Sequence, residues 1–136
     1  MSEILIRGTK VDNYMKILLI DDNEEITDLL QTTFAAKGYP CQVSNDGKEG
    51  LELIKKKKHD IVLLDLAIPR FSGEDILEEL LQSGPIEDYN IFVFTASVIS
   101  ENEMDEFVKK GVLGCIRKPV RLDELLATLQ KHQTRN

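Results

Sequence analysis

Short apolar runs, too brief for buried helices, alternate along the chain with longer stretches whose apolar residues return every three or four positions. Lys16 to Ile20 reads KILLI and stops at Asp21-Asp22-Asn23, the pattern of a buried strand running into a turn. Asp22 and Glu25 then have capping-box spacing, and Ile26, Leu29, Leu30, Thr33 and Phe34 share one helical face until Gly38. The unit repeats. Cys41 to Val43 reads as a strand, and Asp46 with Glu49 starts a helix carrying Leu51 and Ile54 inward. Ile61 to Leu64 (IVLL) has the unbroken apolar character of a central parallel strand covered on both faces. After Pro69 and Gly73 comes a helix with Ile76, Leu77, Leu80 and Leu81 inward, closed by Gly84-Pro85. Ile91 to Phe94 is the next strand. Ser100 and Glu103 cap a helix with Met104, Phe107 and Val108 inward, ended by Gly111. A weak strand at Cys115 to Arg117 precedes a last helix with Leu122, Leu125, Leu126 and Leu129 in one stripe.

Five strand–helix alternations with short connections predict an α/β fold, a three-layer sandwich around an all-parallel sheet, because consecutive parallel strands need helical crossovers. Residues 1–14 precede this pattern and are expected as a loose arm with local structure at Ile4 to Ile6; residues 15–136 form the domain. Only four residues follow His132, so no output domain is expected in this chain.

A length of 136 residues with 42% hydrophobic content suits one domain with its own core and no metal or disulfide staples. No run approaches the roughly 18 apolar residues of a membrane span, and the first ten residues lack a secretory signal core. A cytoplasmic location without membrane contact is the expectation. The net charge of −7 disfavours direct binding to nucleic acid. Lys55 to Lys58 complement the dipole of the helix they end and read as a solvated run. Cys41 and Cys115 fit neither metal-ligand nor disulfide spacing and read as core residues. His59 and His132 read as surface residues.

Open parallel sheets bind ligands beyond the carboxyl ends of their strands. Those ends here carry Asp21-Asp22, Asp65, Thr95-Ala96 and Lys118-Pro119. Taken singly, each residue has an ordinary role as a helix cap, a packing hydroxyl or a surface ammonium. Three converging carboxylates without a cation would repel one another, and a hard divalent ion such as Mg²⁺ resolves the conflict. Lys118 would then add a second positive charge for a phosphoryl group, with the Thr95 hydroxyl as a donor to it. A coenzyme phosphate would be repelled by Asp21, Asp22, Glu24 and Glu25, and neither GxGxxG nor a P-loop occurs.

The segments Ile17 to Asn23, Asp60 to Pro69 with Gly73, Phe92 to Ala96, and Lys118-Pro119 resemble the receiver domain of two-component response regulators over about residues 15–132. That resemblance implies a flavodoxin-like sheet of five strands in the order 2-1-3-4-5 flanked by five helices. It also implies a phosphoacceptor at Asp65, taking its phosphoryl group from a sensor histidine kinase or a histidine phosphotransfer protein. Asp22, Asp65 and the Ala67 carbonyl would bind Mg²⁺ directly, and Asp21 through water. Lys118, Thr95 and the amides of Ala67 and Ala96 would hold the phosphoryl oxygens. The resemblance implies a signalling domain rather than an enzyme, a monomer or weak dimer, that assists its own phosphorylation and signals by binding a downstream protein. Its last two helices and last strand would form the output face. A chemotaxis-type regulator and a phosphorelay intermediate fit equally. Many receivers carry Tyr or Phe where this sequence has Cys115, which puts the usual aromatic switch in doubt. An Asp-nucleophile phosphatase is disfavoured because the acid/base carboxylate it needs two residues after the nucleophile is Ala67 here. A degenerate receiver is disfavoured because every site position is filled.

Overall fold

The structure is a computed structural model and describes residues 4–6, 9–11 and 15–135. Five strands, β1 (Ile17–Ile20), β2 (Cys41–Ser44), β3 (Ile61–Leu64), β4 (Ile91–Thr95) and β5 (Gly114–Arg117), form one sheet. All its pairings are parallel and the spatial order is β2-β1-β3-β4-β5, as the resemblance implies. The crossovers are α1 (Glu24–Ala36), α2 (Gly47–Lys55), α3 (Gly73–Ser83) and α4 (Glu101–Lys110), and α5 (Leu122–Arg135) follows β5. Ile4–Ile6 pairs with Thr9–Val11 in a separate antiparallel ribbon. The expected loose arm thus contains a hairpin; the rest of residues 1–14 lies outside the described residues.

Alternation along each strand divides the core between two faces of the sheet. Ile17, Leu19, Ile61, Leu63, Phe92 and Phe94 pack with Leu30 and Phe34 of α1 and Leu125 and Leu129 of α5. Leu18, Ile20, Val62, Leu64, Ile91 and Val93 pack with residues of α2, α3 and α4, among them Ile54, Leu80 and Phe107. β1, β3 and β4 are buried throughout, whereas the edge strands β2 and β5 are only partly covered. This explains why IVLL is the clearest strand in the sequence and β5 the weakest.

Several sequence expectations shift by a residue or a face. The cap of α1 is Asn23, whose side chain accepts from the Ile26 amide, and not Asp22. Asp22 is thereby left facing the strand ends. Leu29 is 66% exposed. The buried stripe of α1 runs at four-residue spacing through Leu30 and Phe34, and Leu29 lies about 100° around the helix from Leu30. Leu81 and Val108 sit at similar flanks of α3 and α4 and are also exposed. Cys41 and Cys115 are half-buried at the rims of the two core clusters, because both lie on edge strands. His132 lies within α5 rather than in a frayed tail, its ring edge-on to Phe92 with centroids 6.2 Å apart. His59 accepts partial cover before β3 and shares a 2.8 Å hydrogen bond with Gln42.

Candidate functional site

The residues at the strand ends converge because three adjacent strands, β1, β3 and β4, stop at the same edge in register. The Asp21 amide donates to the Ser44 carbonyl and the Asp65 amide to the Ile20 carbonyl, so both acidic residues continue the ladder one step beyond the strands. Asp21, Asp22 and Asp65 each offer a carboxylate oxygen, and these lie within 4.8 Å of one another. Asp21 is 1% exposed and Asp65 6% exposed, while Asp22 reaches solvent.

Lys118 supplies the positive charge that this cluster needs. Its ammonium bonds the Asp21 Oδ2 and stands 3.8 Å from the Asp65 Oδ2, with only 11% of its side chain exposed. The same ammonium lies 4.9 Å from the centroid of the Phe94 ring. Backbone geometry carries it there: the Lys118 amide donates to the Thr95 carbonyl, extending the β4–β5 ladder. The Asp65 Oδ1 accepts from the Ala67 amide at 3.3 Å. Burial first, and then the charge of Asp21, push the Asp65 carboxyl above its ordinary range; Lys118, the Ala67 amide and the Thr95 hydroxyl work the other way.

Every side chain predicted for the site is therefore at one edge: Asp21, Asp22, Asp65, Thr95 and Lys118. Neither histidine is there, since His59 precedes β3 at the opposite edge and His132 packs beside Phe92. The sequence reading missed the residues that brace the acidic loop. Asn45 donates from Nδ2 to the Asp21 carbonyl at 2.7 Å and to the Thr27 hydroxyl at 3.1 Å, and the Asn23 amide donates to the Asp21 Oδ1 at 2.9 Å. Asn45 directly follows β2, a position from which a polar side chain reaches the neighbouring strand end, and that was the signal available. Gly73 is required by close approach. A Cβ there would lie 2.3 Å from the Asp65 carbonyl oxygen and 2.8 Å from the Leu66 Cα.

An apolar groove of about 420 Å³ opens beside Lys118, lined among others by Ile26, Leu29, Leu30, Phe94, Pro119 and Val120. It explains where the exposed Leu29 side chain belongs: to the rim of this groove and not to the core.

Three carboxylates that each bring an oxygen within 4.8 Å of the others suit a hard cation. The donor set fits a divalent metal ion by its chemistry.

Comparison with known proteins agrees with this geometry. The family model of the response regulator receiver domain matches residues 17–130. The response regulator MprA of Mycobacterium leprae is 32% identical over 116 residues, which cover 85% of this chain and 50% of that protein. The chain thus spans about half the length of such relatives. Among solved structures, the receiver domain of the Francisella response regulator 1452 superposes with a TM-score of 0.78 at 28% identity, over 89% of this chain and 98% of that one. A response regulator from Burkholderia pseudomallei, solved with a phosphorylated aspartic acid, a calcium ion and citrate, gives 0.73 at 27% identity, over 89% and 69% of the two chains. By fold, by sequence and by the acidic edge of its sheet, this chain belongs to the response regulator receiver domain family.

Proposed function

We propose that Asp65 is the phosphoacceptor of this receiver. The observation that carries the reading is a buried carboxylate at the end of the central strand, 3.8 Å from the Lys118 ammonium and within 4.8 Å of Asp21 and Asp22. In the transfer step an Asp65 oxygen attacks phosphorus, the P–N bond to a donor imidazole breaks, and the imidazole nitrogen leaves with the bonding pair and takes a proton. An acyl phosphate forms on Asp65. Lys118 pairs with a phosphoryl oxygen as the charge on Asp65 is spent in the new bond, so its ammonium passes from a carboxylate partner to a phosphoryl one. The Thr95 hydroxyl and the amides of Ala67 and Ala96 donate to the remaining oxygens.

Asp21, Asp22, Asp65 and the Ala67 carbonyl are the residues that would hold Mg²⁺, with Asp21 acting through water. When bound, that ion would neutralise charge on the transferring group. Phosphoryl transfer is helped mainly by positioning and charge neutralisation, so this small set suffices for the domain to assist its own phosphorylation and dephosphorylation without being an enzyme on other substrates.

The donor is a sensor histidine kinase or a histidine phosphotransfer protein in the cytoplasm. The groove beside Lys118, with Leu29 on its rim, offers an apolar surface next to the reacting carboxylate and suits a partner presenting its histidine on an amphipathic helix. The unit that responds is residues 15–136, with 1–14 an extension. Among the described residues no helix is long and apolar enough to cross a membrane.

The test is incubation with a small-molecule phosphodonor and Mg²⁺, followed by intact mass. One phosphate per chain, absent in Asp65→Asn and without Mg²⁺, is the expected result. An adduct of wild-type size in Asp65→Asn would overturn the assignment.

A further inference from the structure

The loop between β4 and α4 is the path by which an event at Thr95 can reach the outer face, and Cys115 is too small to carry it by a rotamer swing. Another side chain spans this path. Arg117 is the register partner of Thr95 on the neighbouring strand, and two residues from Cys115 it lies on the same face of the sheet, toward α4. Its Nη2 donates to the Ile99 carbonyl at 2.9 Å and lies 3.3 Å from the Met104 Sδ. One guanidinium thus grips the end of the β4–α4 loop and the first turns of α4 together. Its charge also reaches Cys115, opposing the rise that burial imposes on that thiol.

The loop has two anchors. At the strand end the Ser97 amide donates to the Thr95 hydroxyl at 3.2 Å. At the helix end Ile99 is buried, its carbonyl is held by Arg117, and Ser100 caps α4 through a reciprocal box with Glu103. Between them, Ala96, Ser97 and Val98 are exposed, Val98 at 99%. A short segment fixed at both ends cannot shorten at one end without pulling on the other.

We infer that Arg117 is the positioning residue that couples the phosphoacceptor site to α4, holding the Ile99 carbonyl and Met104 together and releasing them when Thr95 is drawn toward a phosphoryl group. This rests on the reading of Asp65 as phosphoacceptor. A Thr95 hydroxyl that turns from the Asp65 carboxyl to a phosphoryl oxygen carries the Ser97 amide that donates to it. The strain arrives at the Ile99 carbonyl, where the part-buried hydrogen bond from Arg117 is the tie that joins the loop to β5. Arg117 then turns to solvent, and α4 loses its tie to β5. The coupling needs no aromatic residue at position 115.

The experiment compares wild type, Arg117→Ala, Arg117→Lys and Met104→Leu by methyl and amide NMR, each with and without beryllofluoride as the phosphoryl mimic. Phosphorylation by a small acyl phosphate is followed in parallel by intact mass. In Arg117→Ala without the mimic, the signals of residues 97–100 and the Met104 methyl are expected to move along the line that the wild type follows when the mimic binds. The phosphorylation rate should rise about three- to tenfold, the range set by one ordinary hydrogen bond, since solvent screens the guanidinium charge at this partly exposed site. Arg117→Lys, which keeps the charge and a single donor, should fall between. Met104→Leu should move the loop signals less and in the same direction. A merely structural role would lower the unfolding midpoint without shifting signals along that line or quickening phosphorylation. Loop signals at wild-type positions in Arg117→Ala, with a normal adduct, would overturn the latch alone. No adduct in the wild type would overturn the phosphoacceptor reading and the coupling with it.

Discussion

Removing the Asp65 charge should make the protein more stable at neutral pH while abolishing its phosphorylation. The Asp65 carboxyl is held above its ordinary value of 3.8 by burial first and by Asp21 second. A raised native pKa means that the folded state keeps the proton to higher pH than the unfolded chain does. The stability tied to that proton is full below the ordinary value and is lost as pH rises through the folded value. Above the folded value the native protein carries the cost of the buried anion. Carboxylate oxygens within 4.8 Å and an ammonium at 3.8 Å bound the size of the effect. At an effective dielectric constant of about 20, each such pair interacts by about 3–4 kcal/mol. Lys118 roughly offsets Asp21, Asp22 is screened by solvent, and the desolvation of Asp65 is left over. Asp65→Asn, nearly isosteric, should gain about 1–3 kcal/mol, which for a chain of this size is roughly 4–12 °C in Tm. The assay is thermal and urea unfolding of both proteins from pH 7 down toward 4, with and without Mg²⁺. The gain should shrink as pH falls and should also shrink in Mg²⁺, because a cation neutralises the wild-type cluster. A variant no more stable than wild type at pH 7, or a gain that persists unchanged at low pH, would refute the electrostatic reasoning.

Other consequences follow from the same geometry. Lys118→Met leaves Asp21 buried without its cation and should cost about 3 kcal/mol in urea unfolding at pH 7, besides slowing phosphorylation. Asp22→Ala should abolish Mg²⁺ binding measured by calorimetry yet change the unfolding midpoint far less than Asp65→Asn, since Asp22 faces solvent. Gly73→Ala drives a methyl into the Asp65 carbonyl and should destabilise by about 1–3 kcal/mol, with a matching loss of phosphorylation rate read by intact mass. Burial pushes the Cys41 thiol up to about 12, so a disulfide reagent at pH 8 should label it many-fold more slowly in the folded protein than in the urea-unfolded chain; equal rates would contradict its placement.

The β3 run from Ile61 to Leu64 and the acids that follow β1 and β3 were legible because a central parallel strand must be apolar on both faces, and the charge at its end then stands out. The positions of Asp21, Asp22, Asp65, Thr95 and Lys118 followed from strand ends alone, since parallel strands in register bring those ends to one edge. What the sequence obscured depends on angles rather than on order. Asp22 and Asn23 are both good caps, and only the path of the chain out of β1 decides that Asn23 turns to the helix and Asp22 to the site. Leu29 and Val108 satisfy helical spacing yet flank the buried stripe, because a helix against a sheet covers less of its circumference than spacing allows. Arg117 and Asn45 escaped notice because their roles are hydrogen bonds across elements far apart in sequence, to Ile99 and to Asp21, which no periodicity announces.

Locating the phosphoryl group tests the central claim most directly. After reaction with a small acyl phosphate and Mg²⁺, reduction with borohydride converts an aspartyl phosphate to homoserine, and tryptic digestion separates the candidates. Residues 59–70 carry Asp65 together with Asp60, and residues 17–37 carry Asp21 and Asp22. Fragment masses should find homoserine at position 65 alone, in a fraction that matches the phosphate lost from the intact chain. Homoserine at Asp21, Asp22 or Asp60, or none in a chain that has taken up phosphate, would contradict the account.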